Sequence, residues 1–280
     1  MITDIFKYQF LQNAILASIF ASIVCGIIGV IIVEKKLVMM SGGIAHTSYG
    51  GVGLGYLLGF EPIIGAFAMS ICAALGISYI KRKSGTQSDL IIGLFWSFGM
   101  ALGILFIALM PGYPPDITSY LFGSILSVTK PDLYLIGGFT ILIVFIVSAL
   151  FEYFKTYIFD EEFAKILGIK TTFLEYLLFV LIAIAVVVII RVVGIILVLA
   201  LITAPTAISC LISKSLKSRM ILAIIIGNIL CLSGLIISYV FNIPSGATIV
   251  VLSTLSYFLV YILSSIKRKD FKKNEMGEIC

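Results

Sequence analysis

The sequence predicts an all-α polytopic membrane protein of about nine (eight to nine) transmembrane helices. Three observations carry that expectation. Hydrophobic residues make up 61% of the 280-residue chain and charged residues only 12%, against about 45–50% and 25% in soluble domains. A globule this apolar has no polar coat. The apolar residues also fall into stretches near the ~20 residues that cross a bilayer as a helix. Finally, the basic residues collect in alternate connections between those stretches. Together these exclude a soluble enzyme and a disordered chain. The net charge of +5 is too small and too scattered for a nucleic-acid surface.

Nine segments qualify in order: Leu11 to Val33, Leu37 to Gly59, Pro62 to Ile80, Leu90 to Met110, Leu133 to Phe151, Phe173 to Ile190, Val192 to Ile212, Met220 to Phe241 and Ala247 to Ile266. Helix is the default because an open strand leaves backbone groups unpaired in lipid. The links at Glu34–Lys36 and at Arg191 are the shortest; without a turn at either, the count is eight. Residues 1–280 read as one transmembrane domain with a charged tail at 267–280. The first apolar run has one lysine before it, Lys7, and no small-residue cleavage site after it, so it reads as a retained helix.

Charge supports nine. Of the 19 Lys and Arg, all but Lys7, Lys130 and Arg191 fall in the odd-numbered connections or the tail. The positive-inside rule then places the N-terminus outside and the C-terminus in the cytoplasm. A wrong helix count would scramble this parity. The five cysteines show no CxxC spacing, so neither a disulfide framework nor a zinc site is indicated. Of the outer connections, Met110 to Asp116 is rigid, Phe241 to Gly246 is a turn, and Ile117 to Val128 reads as an interfacial or half-inserted helix.

Ionisable groups inside a membrane are expensive and usually functional. The acids fall at segment ends or in loops, with Glu152 and Glu175 close to an end. The only histidine does not. His46 is the tenth residue of the second segment, near mid-membrane. Gly51, Gly55 and Gly59 recur every four residues and form a groove for another helix. On the opposite flank Gly42, His46 and Gly50 share an i, i+4 face, so the imidazole is expected in a lane cleared of side chains. Ser41, Thr47 and Ser48 add hydroxyls. Neutral imidazole is a common ligand for zinc, manganese, iron or copper. One histidine makes no tight site, but a pathway needs weak ones, and a symmetric dimer presents two copies.

The fifth connection carries a second signal. Asp160 is a good N-cap, Glu161 and Glu162 suit the positive end of a first turn, and Gly168 suits the C′ position. Between them Phe163, Ile166 and Leu167 share one face of a short helix. That face needs a partner, either lipid headgroups or a groove on another protein.

At Phe159–Ile169 the sequence resembles the membrane subunit of the ABC-3 family of bacterial metal-ion importers, the permeases for zinc, manganese and iron(II). That stretch matches the family's coupling helix. The run Val193–Val198 continuing to Leu201–Pro205, and Pro244–Ala247, match two further landmarks in order. The resemblance implies a helical ABC importer permease fold whose coupling loop spans about 155–172. The contact residues there are Asp160, Glu161, Glu162, Phe163, Ala164, Ile166, Leu167 and Gly168. It implies a metal pathway at His46, with Gly42 standing where the family usually has aspartate. It further implies a homodimer in the bacterial plasma (inner) membrane. Separate ABC ATPase subunits would dock on it, and an extracytoplasmic metal-binding lipoprotein or periplasmic protein would deliver the ion. No cofactor is expected to be stably bound. The chain has no Gly-Lys dipeptide and so no Walker A loop; it is expected to be no enzyme, the ATP being used by a partner chain. The rival readings are an ion-coupled secondary transporter of a small cation, an intramembrane enzyme and a structural subunit. The first lacks a mid-depth acid or lysine, and the second lacks a ligand or nucleophile set.

Overall fold

The computed structural model describes residues 8–84, 88–112, 123 and 125–277, with side chains described as far as Ile266. Eleven α-helices follow one another: α1 Gln9–Glu34, α2 Val38–Leu58, α3 Pro62–Ser84, α4 Ser88–Ala108, α5 Lys130–Ala149, α6 Phe151–Phe159, α7 Glu161–Ile166, α8 Thr171–Val193, α9 Ile195–Ile212, α10 Leu216–Phe241 and α11 Ser245–Gly277. A 3-10 turn, Ile125–Ser127, precedes α5. It is the described remnant of the stretch read as a half-inserted helix, most of which lies outside the described residues.

Nine of these helices correspond to the nine apolar segments. Eight are long and apolar enough to cross a bilayer. The ninth, α2, has the length, at 21 residues, but six glycines and several hydroxyl residues lower its hydropathy. It lies between α3 and α4, and most of its residues are buried. Helices α1 and α8 form the centre of the bundle. Their most apolar windows are 72% buried, against 11% for α11, whose large apolar side chains face outward.

Both doubtful links are real breaks. After α1 the chain turns through Lys36 at φ 56°, and the Leu37 N–H donates to the Ile32 carbonyl at 2.8 Å. That i+5 bond across a left-handed residue closes a helix without leaving its last carbonyls unpaired. The second break falls at Gly194 (φ 82°), two residues beyond the expected start at Val192. Two further segment ends differ from expectation. The fifth segment stops at Ala149, where Leu150 caps it, and a separate amphipathic helix α6 takes up the start of the following loop. The last helix continues past its apolar part to Gly277.

The ion pairs among the described residues respect the nine-helix parity. Lys81 and Arg82, in the third connection, meet Glu175, one turn into α8 from the fifth connection, and Arg82 also meets Glu161 within that connection. Glu34 of the first connection meets Arg219 of the seventh. At the other end Arg191 of the sixth bonds Asp132 of the fourth at 3.0 Å and approaches Glu61 of the second at 4.0 Å. Charges at opposite ends of a ~30 Å apolar slab do not meet. An eight-helix path would put some of these partners on opposite sides.

Candidate functional site

His46 lies where α2 and α4 run against each other almost backbone to backbone. A Cβ added to Gly50 would stand 2.8 Å from the Gly99 carbonyl oxygen, and one on Gly53 2.7 Å from that of Gly103. Thr47 bridges the helices, its hydroxyl bonding the carbonyls of Gly43 at 2.7 Å and Phe95 at 3.0 Å. Such close approach needs small residues on both partners. It also forces the larger side chains together at the open edge of the contact.

There the half-buried imidazole stacks on Trp96, ring centroids 4.3 Å apart and planes 11° from parallel. Its Nδ1 lies 3.4 Å from the Met100 sulfur. Trp96 and Met100 are one turn apart on α4, as Gly42 and His46 are on α2. The expected lane cleared of side chains is therefore filled. A Cβ on Gly42 would stand 3.1 Å from Cζ3 of Trp96 and 3.6 Å from Leu199 on α9, so the indole occupies the space beside Gly42. Ser41 and Ser48 do not line this edge; both are buried and bond carbonyls of their own helix, Val38 at 2.8 Å and Ala45 at 2.6 Å. Met40 is in the core and Met39 is exposed at the start of α2. Among the described residues no three His, Cys, Asp or Glu cluster closely enough to hold a metal ion.

The glycines on the other flank of α2 separate by role. Gly51 meets Gly65 of α3 so closely that a Cβ on Gly51 would stand 1.9 Å from the Gly65 carbonyl oxygen; a Cβ on Gly55 would stand 2.7 Å from Cα of Pro62. Gly59, grouped with them in the sequence reading, packs on nothing. It caps α2 in the left-handed region at φ 74°, with the Phe60 N–H donating to the Gly55 carbonyl.

The fifth connection forms its short helix as the sequence predicts. The Asp160 carboxylate accepts from the Phe163 N–H at 2.9 Å. Gly168 takes φ 75°, and the Ile169 N–H donates to the Ala164 carbonyl at 3.0 Å. Ala164 is fully buried and pins the helix, while Phe163, Ile166 and Leu167 stand 51%, 81% and 57% exposed. Glu162 and Glu161 occupy the first turn. Glu161 is held by Lys165 at 3.2 Å and by Arg82 at 3.5 Å.

Arg82 also pairs with Glu175, which Lys81 contacts at 2.7 Å. Glu175 is 2% exposed, and a buried carboxylate keeps its charge only when paired. A continuous ion network thus runs from α7 to the ends of α3 and α8. Lys35 lies 3.7 Å above the Tyr157 ring. Burial lowers its pKa, and attraction to Glu161 and Glu175 opposes that shift. Burial raises the Tyr157 phenol, aided by the same two carboxylates.

Sequence reasoning missed three of these participants. Trp96 and Met100 lie 50 or more positions from His46, and only the packing of α4 brings them to it. The third, Glu175, had a signal. An acid one turn inside an apolar helix calls for a cation, and the run Lys81-Arg82-Lys83 offered one.

A bundle that is all-helical among the described residues, with a buried, glycine-packed polar helix and an exposed loop helix at one end, is that of a polytopic membrane protein. The chain belongs to the ABC-3 family: the model of the ABC 3 transport family matches residues 7–264. It is 41% identical over 253 residues, 90% of each chain, to an uncharacterised membrane protein of Synechocystis sp.. It is 33% identical over 273 residues, 97% of each chain, to the manganese transport system membrane protein MntC of Listeria monocytogenes. Among solved structures it resembles PsaBC from Streptococcus pneumoniae in complex with Fab. That match has a TM-score of 0.83 and 34% identity and covers 93% of this chain and 94% of that one.

Proposed function

We propose that this chain is the permease subunit of an ATP-binding cassette importer for a divalent transition-metal ion, namely manganese, zinc or iron(II). The family match over nearly the whole chain carries this reading, and a relative named as a manganese transport protein supports a divalent transition metal as the cargo. Two copies form the pathway, and a separate ATPase docks on the exposed face of α7. An extracytoplasmic protein supplies the ion. ATPase closure moves α7, and the Arg82–Glu175 network passes that movement to α3 and α8. The rival, an ion-coupled carrier, is disfavoured because Glu175, the one deeply buried acid among the described residues, is already paired with two cations near a helix end.

The test is ATP-dependent uptake of each metal by vesicles containing the complete complex. With His46→Ala, uptake is expected to fall at least about tenfold, since even the outer-shell partners of a metal ligand are worth ~10–100-fold, while folding and ATPase association survive. Wild-type uptake in that variant would make His46 a packing residue. Uptake indifferent to ATP but driven by an ion gradient would favour the carrier.

The charge parity orients the complex with α7 and the C-terminus in the cytoplasm. In sealed cells, on a cysteine-free background, a cysteine at Asn242 should react with an impermeant reagent and one at Ser215 should not. Labelling of Ser215 from outside would reverse the orientation.

A further inference from the structure

We infer that Met100 is a second ligand for the ion in transit, and that the His46–Met100 pair makes this pathway favour zinc over manganese. The inference rests on the proposed function and goes beyond it by fixing the donor set. The carrying observation is the 3.4 Å separation of His46 Nδ1 and Met100 Sδ. One ion held by a ring nitrogen at ~2.05 Å and by a neutral thioether sulfur a little beyond the ~2.3 Å of a thiolate, with an angle of ~90–110° between the bonds, requires its two donors ~3.2–3.7 Å apart. The pair already has the bite of a single ion. Both side chains are half-buried at an open edge, which leaves room for water or the second copy to complete the shell. His46 is oriented by its stack on Trp96.

The chemistry of the pair sets its preference. Carboxylates and water suit manganese, imidazole suits zinc, and thioethers favour soft ions. No acidic residue occurs anywhere in α2 or α9, and the only one in α4, Asp89, is in its first turn. Trp96 of α4 fills the space beside Gly42, so on that side the ion meets an indole face in place of an oxygen. A nitrogen–sulfur pair without a carboxylate gains little from manganese and more from zinc.

The test is metal binding by the purified permease–ATPase complex, titrated with Zn²⁺ and with Mn²⁺ against a fluorescent chelator. Wild type is expected to prefer zinc by at least about tenfold, as the affinity order of N/S sites requires. Met100→Leu conserves volume. It should weaken zinc binding several-fold and leave manganese binding within twofold, at unchanged thermal stability. His46→Ala should abolish binding of both. Equal zinc affinity in Met100→Leu and wild type, with binding still lost in His46→Ala, would reduce Met100 to packing and leave the pathway at His46 standing. Undiminished binding in His46→Ala would overturn the pathway reading itself.

Discussion

Replacing Phe163 and Leu167 together with aspartate is expected to abolish metal uptake while the permease still inserts and folds. Both side chains are more than half exposed, so their loss costs the isolated subunit little, within the ~0.5 kcal/mol of most surface changes. The helix itself is held by Ala164, by the Glu161–Arg82 pair and by the Asp160 cap, which accepts from the backbone N–H of residue 163 whatever its side chain. Docking is a different matter. Burying a Phe and a Leu in a groove is worth ~1.5–3 kcal/mol each, and two carboxylates in their place must be desolvated without partners. A loss of ~4 kcal/mol or more lowers affinity about a thousandfold. Co-purification of the ATPase and uptake should disappear together. Normal co-purification with normal uptake would show that α7 is not the docking element.

Gly51→Val is expected to prevent folding altogether. The Gly51 position has no room for a Cβ, because the Gly65 carbonyl of the neighbouring helix would lie 1.9 Å away. Overpacking in cores usually costs ~1–3 kcal/mol because rotamers absorb part of the strain. Here the obstacle is backbone, so α2 and α3 must separate and forfeit their whole contact. That exceeds what a marginally stable chain tolerates. The variant should be degraded or elute as aggregate in detergent. Gly138→Ala is the control: nothing lies within 4 Å of a Cβ there, and alanine favours a helix interior by up to ~1 kcal/mol. Folded, monodisperse Gly51→Val protein would mean that α2 and α3 are not in backbone contact.

The helices, the parity of their connections and the capped loop helix were all legible in the sequence, because each depends on local composition, charge or cap chemistry. Lys36 was a doubtful turn because a lysine carries no propensity for the left-handed region it adopts. Gly59 shared the four-residue spacing of Gly51 and Gly55, yet spacing cannot tell a glycine chosen for contact from one chosen for φ. The surroundings of His46 were the least legible part. Gly42 and Gly50 implied open space, but a glycine face can equally be filled from a neighbouring helix, and here Trp96 fills it. Which helix turns which face to α2 is decided by packing over the whole bundle.

The composition of α2 has a consequence for how the protein is made. Segments emerging from the ribosome enter the bilayer according to their own apolarity, to which leucine, isoleucine, valine and phenylalanine each contribute ~0.3–0.6 kcal/mol. Helix α2 is long enough to span but is not among the eight helices apolar enough to do so. It spends its length on six glycines, a histidine and hydroxyl side chains. The helix that carries His46 is thus the one least able to enter lipid unaided. Only three residues, 59–61, separate it from α3, and the Gly51–Gly65 contact lets the two enter as a hairpin whose second arm is apolar. Synthesis of α3 is then the event that brings the histidine to mid-membrane. A ribosome halted before Pro62 leaves His46 at the water interface.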